Sequence, residues 1–125
     1  MADFETKDSG AREDFNTGSR RDVRTGKGRY DLLPYHATRR EAELLERGAT
    51  KYGDRNWELG QPFSRCFDSA MRHLMKAKAG MKDEDHLAAV VFNVKAIIEF
   101  EEMIARGELD PAMNDMPWAI RESAT

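Results

Sequence analysis

The chain has 125 residues, of which 40% are hydrophobic and 34% charged, with a formal net charge of −3. That length fits one domain, and the acidic balance argues against a protein that coats nucleic acid through its whole surface. The single cysteine, Cys66, excludes an internal disulfide framework and fits a reducing cytoplasm. The polar N-terminus has no apolar signal core, and no run approaches the ~18 apolar residues of a membrane span, so a cytoplasmic protein without membrane contact is expected.

Residues 1–25 lack apolar periodicity: Phe4, Phe15 and Val23 stand alone among charges, Ser, Thr and Gly. They are expected to form a flexible arm that orders on a partner or ligand. Its end is basic, with Arg20, Arg21, Arg24, Lys27 and Arg29 against the single acid Asp22. Lys27 and Arg29 are either phosphate clamps or ordinary surface charges.

A first helix is expected from near Pro34, since proline is tolerated in the first turn. Tyr35, Thr38, Ala42, Leu45, Ala49 and Tyr52 recur at steps of three and four and define its apolar stripe. Gly48 weakens it by roughly 1 kcal/mol relative to Ala, and Gly53 stops it. A turn-rich loop, GDRNWELGQP, follows. The second helix is expected over 63–79, with Phe63, Phe67, Ala70, Leu74 and Ala77 as its stripe. The third begins at Asp83-Glu84-Asp85, acids favourable beside a helix N-terminus. Leu87, Val90, Val91, Val94, Ile97 and Ile98 make the strongest stripe in the chain, and Gly107 ends it. Pro111 and Pro117 argue against a long helix in the tail, where Trp118 could pin the tail to the body or to another subunit. The domain plan is therefore an arm (1–25), an all-α domain (26–109) and a tail (110–125). Three main helices with an incomplete core predict a bundle completed by oligomerisation, as a homodimer or homotetramer.

Several side chains could carry chemistry. Glu43 and Glu46, one helical turn apart, could chelate a hard cation that prefers oxygen ligands. A solvated face paired with Arg39, Arg40 and Arg47 is the simpler reading of those carboxylates taken alone. Asp83, His86 and Asn93 share one side of the third helix, as a metal or phosphate shell facing the first helix, or with Asp83 as a cap. His73 lies at the edge of the second helix's stripe. Arg72 is four residues from Asp68 and forms a surface ion pair with it. In the loop, Trp57 could stack on a base or plug the end of the bundle, Asn56 could read a base edge, and Lys51 and Arg55 could hold phosphates. No Walker loop, GxGxxG, CxxC pair or HExxH occurs, which removes P-loop, Rossmann, zinc-ribbon and zincin readings.

Taken together, GKGRYDLLP, GATKYGDRNWELG, MRHL and DEDHLAAVVFN resemble a bacteriophage family described as dATP/dGTP diphosphohydrolases. They are similar to the MazZ-type members of the all-α, MazG- and HisE-like NTP pyrophosphohydrolases. The resemblance covers residues 26–100. It implies a Mg²⁺- or Mn²⁺-dependent enzyme that cleaves a purine deoxynucleoside triphosphate, dGTP or dATP, to the monophosphate and pyrophosphate. In a phage this would serve the making of modified DNA, in the host-cell cytoplasm. The superfamily's ExxE is present as Glu43-Leu44-Leu45-Glu46; its later ExxD is not, and Asp83-Glu84-Asp85-His86 is the nearest match. The resemblance thus implies Glu43, Glu46, Asp83 and Asp85 as metal ligands, with Glu43, Glu46, Asp85 and His86 catalytic. It implies Lys27, Arg29, Lys51, Arg55, Asn56, Trp57, Arg72, His73 and Asn93 as substrate-binding residues. Two alternatives stay open. One is a non-enzymatic phage adaptor that binds nucleic acid or a host protein through the basic arm, although nucleic acid is not the expected partner. The other is the same fold acting on another nucleotide such as dUTP.

Overall fold

The structure, a computed structural model, describes residues 3–123, so the extreme ends of the expected arm and tail lie outside the described residues. Contacts divide the chain into two units, with the boundary between Leu33 and Pro34.

The first unit contains an antiparallel pair of short strands, β1 (Arg12–Asp14) and β2 (Arg20–Asp22). Their register explains why apolar periodicity misses them. Arg12 faces Asp22, Glu13 faces Arg21 and Asp14 faces Arg20, three opposite-charge pairs. Arg20 Nε donates to Asp14 at 2.9 Å, and a tight turn closes the hairpin from Gly18 N–H to Phe15 O at 2.9 Å. Lys27 pairs with Asp22 at 3.2 Å, and Arg29 makes a two-pronged contact with Asp31 at 2.8 and 2.9 Å.

The second unit is all-α: α1 (Tyr35–Tyr52), α2 (Phe63–Lys78), α3 (His86–Ala105) and a short α4 (Pro117–Ser123). Pro34 is the residue that caps α1, and Gly53, at φ +91°, stops it as expected. α3 starts where Asp85 accepts from the Ala88 N–H at 3.1 Å, so the helix begins just after the acidic cluster. In the tail Pro117 opens only a short helix, in keeping with the expectation against a long one; its missing N–H falls among those a first turn leaves unbonded.

α2 and α3 form a helical hairpin around Phe63, Cys66, Ala96, Ile97 and Phe100, with Phe63 stacked on Phe100 at 6.3 Å. Leu109, Met113 and Met116 of the tail pack on this cluster, and Asp115 accepts from both the backbone and hydroxyl of Ser64, at 2.8 and 2.5 Å. The tail is thus held by Asp115 and its methionines, while Trp118 stays half exposed. Gly60, at φ +101°, lies so close to Leu109 that an added Cβ would fall 2.5 Å from its Cδ1.

All three expected stripes need correction. On α2, Phe67 and Leu74 of the expected stripe are exposed, and the buried positions are Phe63, Cys66 and Ala70. α1 has no buried residue, and its half-buried positions are Glu41, Leu44, Gly48 and Ala49; Tyr35, Leu45 and Tyr52 are exposed. It meets α3 through polar pairs, Arg40 to Asp85 at 2.6 and 2.8 Å and Lys95 to Glu41 at 2.7 Å. α3, in turn, has not one stripe but two apolar faces. Ala89, Asn93, Ala96, Ile97 and Phe100 face the core, while Leu87, Val91, Val94 and Ile98 stand exposed.

The Arg40 guanidinium holds the Asp85 carboxyl down to about 2. A carboxyl depressed on folding adds stability that is present above its unfolded value of about 4 and is lost as pH falls toward 2. Asp85→Asn keeps a capping side chain but not the charge. It is expected to lower Tm at neutral pH and to flatten the acid loss of Tm between about pH 4 and 2, as thermal unfolding followed across pH would record.

Candidate active site

Within the helical unit, a cleft of about 1160 Å³ opens between α1, the loop after it, the middle of α2 and the start of α3. Its walls follow from helical spacing. Arg40, Leu44, Arg47, Gly48 and Lys51 share one face of α1 and line one side. His73, Ser69 and Ala77 come from α2, and Asp83 to His86, Ala89 and Asn93 from the start of α3. The loop supplies Arg55, Asn56 and Trp57.

Arg55 adopts φ +62°, the one non-glycine residue with positive φ among those described. A left-handed backbone at a bulky residue persists where surrounding contacts over-determine it. Here Arg55 pairs with Glu58 at 2.8 Å and opens the short 3-10 turn Asn56–Leu59. That turn carries Asn56 and Trp57 to the cleft. The Trp57 ring packs at 6.0 Å from both Phe92 and Phe100, so it closes the core as well as walling the cleft.

The floor is a chain of three side chains. Asp83 takes the Nε2 of His86 at 2.8 Å, and the Nδ1 of His86 faces the Nδ1 of His73 at 2.9 Å. His86 is 2% exposed. The hydrogen bond from His86 holds the Asp83 carboxyl below its usual range. Burial pushes His73 down, with the nearby Glu84 charge opposing it. Asn93 is buried, its amide nitrogen donating to Ala89 O at 2.8 Å and to Ser69 Oγ at 3.2 Å.

The cleft therefore gathers Lys51, Arg55, Asn56, Trp57, His73, Asp83, Asp85, His86 and Asn93 from the expected set. It does not include Glu43, Glu46 or Arg72. Glu43 is exposed and pairs with Arg39 at 3.3 Å; Glu46 is exposed on α1; Arg72 pairs with Asp68 at 3.0 Å, as its spacing predicted. Lys27 and Arg29 belong to the first unit, in the ion pairs already described. The sequence reading missed Arg40, Arg47 and Lys82 as cleft residues. The signal was available: Arg40, Arg47 and Lys51 recur at seven and four, on the face opposite the stripe that was followed.

Carboxylates suit Mg²⁺ or Mn²⁺, but the expected quartet does not form one site within the chain. Asp85 is committed to Arg40 and to the helix cap, Asp83 to His86, and Glu43 to Arg39. Among the described residues, the side chains that do converge with metal-ligating atoms are His73, Glu84 and His86, all within 4.8 Å of one another.

Five basic side chains (Arg40, Arg47, Lys51, Arg55, Lys82) and three acidic ones (Asp83, Glu84, Asp85) line the cleft, beside Trp57 and two asparagines, Asn56 and Asn93. Fold and cleft together define a small all-α protein with a basic, aromatic-walled cavity suited to a phosphorylated aromatic ligand. Residues 17–110 match the family described as dATP/dGTP diphosphohydrolase, N-terminal, and the chain belongs to that family of enzymes, with an all-α MazG-like fold. Comparison with curated proteins and with solved structures finds no match. No helix among the described residues is long and apolar enough to cross a membrane.

Proposed function

We propose that the chain hydrolyses purine deoxynucleoside triphosphates, dGTP or dATP, to the monophosphate and pyrophosphate, and that the nucleotide lies in the cleft between α1 and the α2–α3 hairpin. The observation that carries this reading is the juxtaposition of the Asn56–Trp57 corner with the Arg47–Lys51 edge of α1 in one cavity, within the span that matches the family. In this reading Asn56 offers hydrogen bonds to a base edge and Trp57 an apolar wall. Arg47, Lys51 and Arg55 neutralise the triphosphate and steady the leaving pyrophosphate. Attack by water at the α-phosphorus gives the two products.

The family's activity implies a divalent cation, which would neutralise charge on the phosphates. Glu43 and Glu46 stay the proposed oxygen pair for Mg²⁺ or Mn²⁺; they lie outside the cleft of the single chain, so this assignment requires them to meet the phosphates at a subunit seam. Converting both to Gln should reduce turnover at least tenfold; undiminished turnover of the double variant removes them from the reaction.

Gly48 gives a separate check on where the ligand lies. It lines the cleft, and a Cβ built there meets no atom within 4 Å. Gly48→Ala should therefore raise stability by about 0.5–1 kcal/mol through helix propensity. If the open space holds the nucleotide, the same variant raises KM. Thermal unfolding and initial rates on one preparation separate the two effects.

The exposed apolar faces of α2 and α3 support a homo-oligomer as the working form, a homodimer or homotetramer. A nucleotide panel tests the whole reading: each dNTP and NTP with Mg²⁺, Mn²⁺ or EDTA, with products separated. Purine-selective, EDTA-sensitive release of monophosphate and pyrophosphate is expected. Diphosphate with orthophosphate would place the cut at the wrong bond, and turnover of dUTP alone would keep the fold but change the substrate.

A further inference from the structure

We infer that His73, His86 and Glu84 form a nitrogen-rich site for a first-row transition dication such as Zn²⁺ or Co²⁺, with Asp83 orienting His86 from outside it. The site differs in chemistry from a carboxylate site for Mg²⁺.

The His73 and His86 rings stand with their centroids 5.2 Å apart. Their Nδ1 atoms face each other at 2.9 Å, so only one of them can carry a proton between them. On the far side of His86, Asp83 receives Nε2 at 2.8 Å. An ionised carboxylate only accepts, so His86 keeps its proton on Nε2, and in the neutral ring Nδ1 presents a lone pair to His73. A metal-ligating histidine is commonly held in this way, its other ring N–H given to a carboxylate.

The spacing also fits a shared cation. Two imidazole nitrogens bound at about 2.1 Å stand about 3.0 Å apart at a right angle and about 3.4 Å apart at the tetrahedral angle. The observed 2.9 Å lies about a tenth of an ångström below that range, so a small outward shift of one ring would admit the ion. A cation between the rings would replace the proton there, and His73 would carry its own proton on Nε2 instead. The Glu84 carboxylate is the third donor, with an oxygen within 4.8 Å of a ring nitrogen of each histidine. It is exposed at the cleft edge, so it can swing onto an ion without unpacking the core. Two imidazoles and one carboxylate suit Zn²⁺ or Co²⁺, whereas Mg²⁺ prefers an all-oxygen shell. Cleft space beside the site leaves positions for water or a phosphate oxygen.

Calorimetric titration of the full chain, freed of metal by chelation, tests this with Zn²⁺ alone and Mg²⁺ alone. One Zn²⁺ per chain is expected, bound at least a hundredfold more tightly than Mg²⁺. His73→Gln should weaken Zn²⁺ at least tenfold. Asp83→Asn should weaken it about tenfold to a hundredfold, as an outer hydrogen-bond partner does, whereas Glu43→Gln with Glu46→Gln should leave it unchanged. Equal affinity for the two metals, or full Zn²⁺ affinity in His73→Gln, overturns the assignment. If the His73 variant fails to show a cooperative unfolding transition, the wild-type chain decides: Co²⁺ must shift or broaden the ring resonances of His73 and His86 first, and their insensitivity refutes the site. None of these readouts requires turnover, so the site and the hydrolysis reading can fail separately.

Discussion

Replacing Arg47 and Lys51 together by Gln is expected to lower kcat/KM for a purine deoxynucleoside triphosphate by about a hundredfold to ten-thousandfold. The two cations stand one turn apart on α1 and line the same cleft wall. Each charge-assisted hydrogen bond to a phosphate oxygen contributes about 1.5–3 kcal/mol, so two sum to about 3–6 kcal/mol, and each 1.4 kcal/mol is tenfold in rate. Both side chains are exposed, and Lys51 rests 5.0 Å from the centre of the Tyr52 ring. Their loss should therefore leave the fold in place, with stability changed by about 0.5 kcal/mol or less. Steady-state kinetics beside a thermal melt reads both quantities. A double variant with undiminished kcat/KM would move the triphosphate away from this wall.

Val94→Glu is expected to abolish the proposed oligomer. Leu87, Val91, Val94 and Ile98 recur at four, three and four along α3, each at least 37% exposed in the single chain. Phe67, Met71 and Leu74 add a second exposed apolar row on α2. Contiguous apolar surface of this kind marks an interaction face, and the core-facing side of α3 is already filled. If water covered Val94, a charge there would change stability by about 0.5 kcal/mol at most. Buried against a second chain, an unpaired carboxylate instead costs several kcal/mol, enough to dissociate subunits at micromolar concentration. Sedimentation velocity distinguishes the outcomes: a Val94→Glu monomer beside a wild-type dimer or tetramer is expected. A wild-type monomer would contradict the oligomer, and an intact Val94→Glu oligomer would place its interface on another face.

Much of this fold was legible because helices advertise themselves by spacing and by their ends. Gly53 and Gly107 mark stops, and the acidic cluster ending at Asp85 marks a start. What spacing could not supply was which apolar face turns inward. In α3 both sides are apolar, so a single stripe drawn through Leu87 to Ile98 merged the core with the exposed surface. In α1 the apolar stripe is the exposed one. The side facing α3 carries Glu41, partnered by Lys95 from 54 residues away, a pairing no local pattern reveals. The hairpin of the first unit escaped for a related reason: its cross-strand pairs are charged, and alternation of apolar residues is absent.

At the cleft, Lys51, Arg55, Asn56 and Trp57 stood out by residue type, whereas Arg40 and Arg47, in step with Lys51 on one face of α1, did not. The facing of His73 and His86 was not legible, since it depends on how α2 and α3 cross. The expected carboxylate quartet shows the complementary limit. Four acids of suitable type were found in sequence, yet three of them are committed to Arg39, Arg40 and His86.

The hydrolysis proposed for the cleft depends on attack by water at the α-phosphorus of a purine deoxynucleoside triphosphate. Turnover of dGTP and dATP in ¹⁸O-labelled water, with the products separated and weighed by mass spectrometry, tests it most directly. One ¹⁸O is expected in the monophosphate and none in the pyrophosphate. Label in the pyrophosphate, or in orthophosphate released beside a diphosphate, would contradict it.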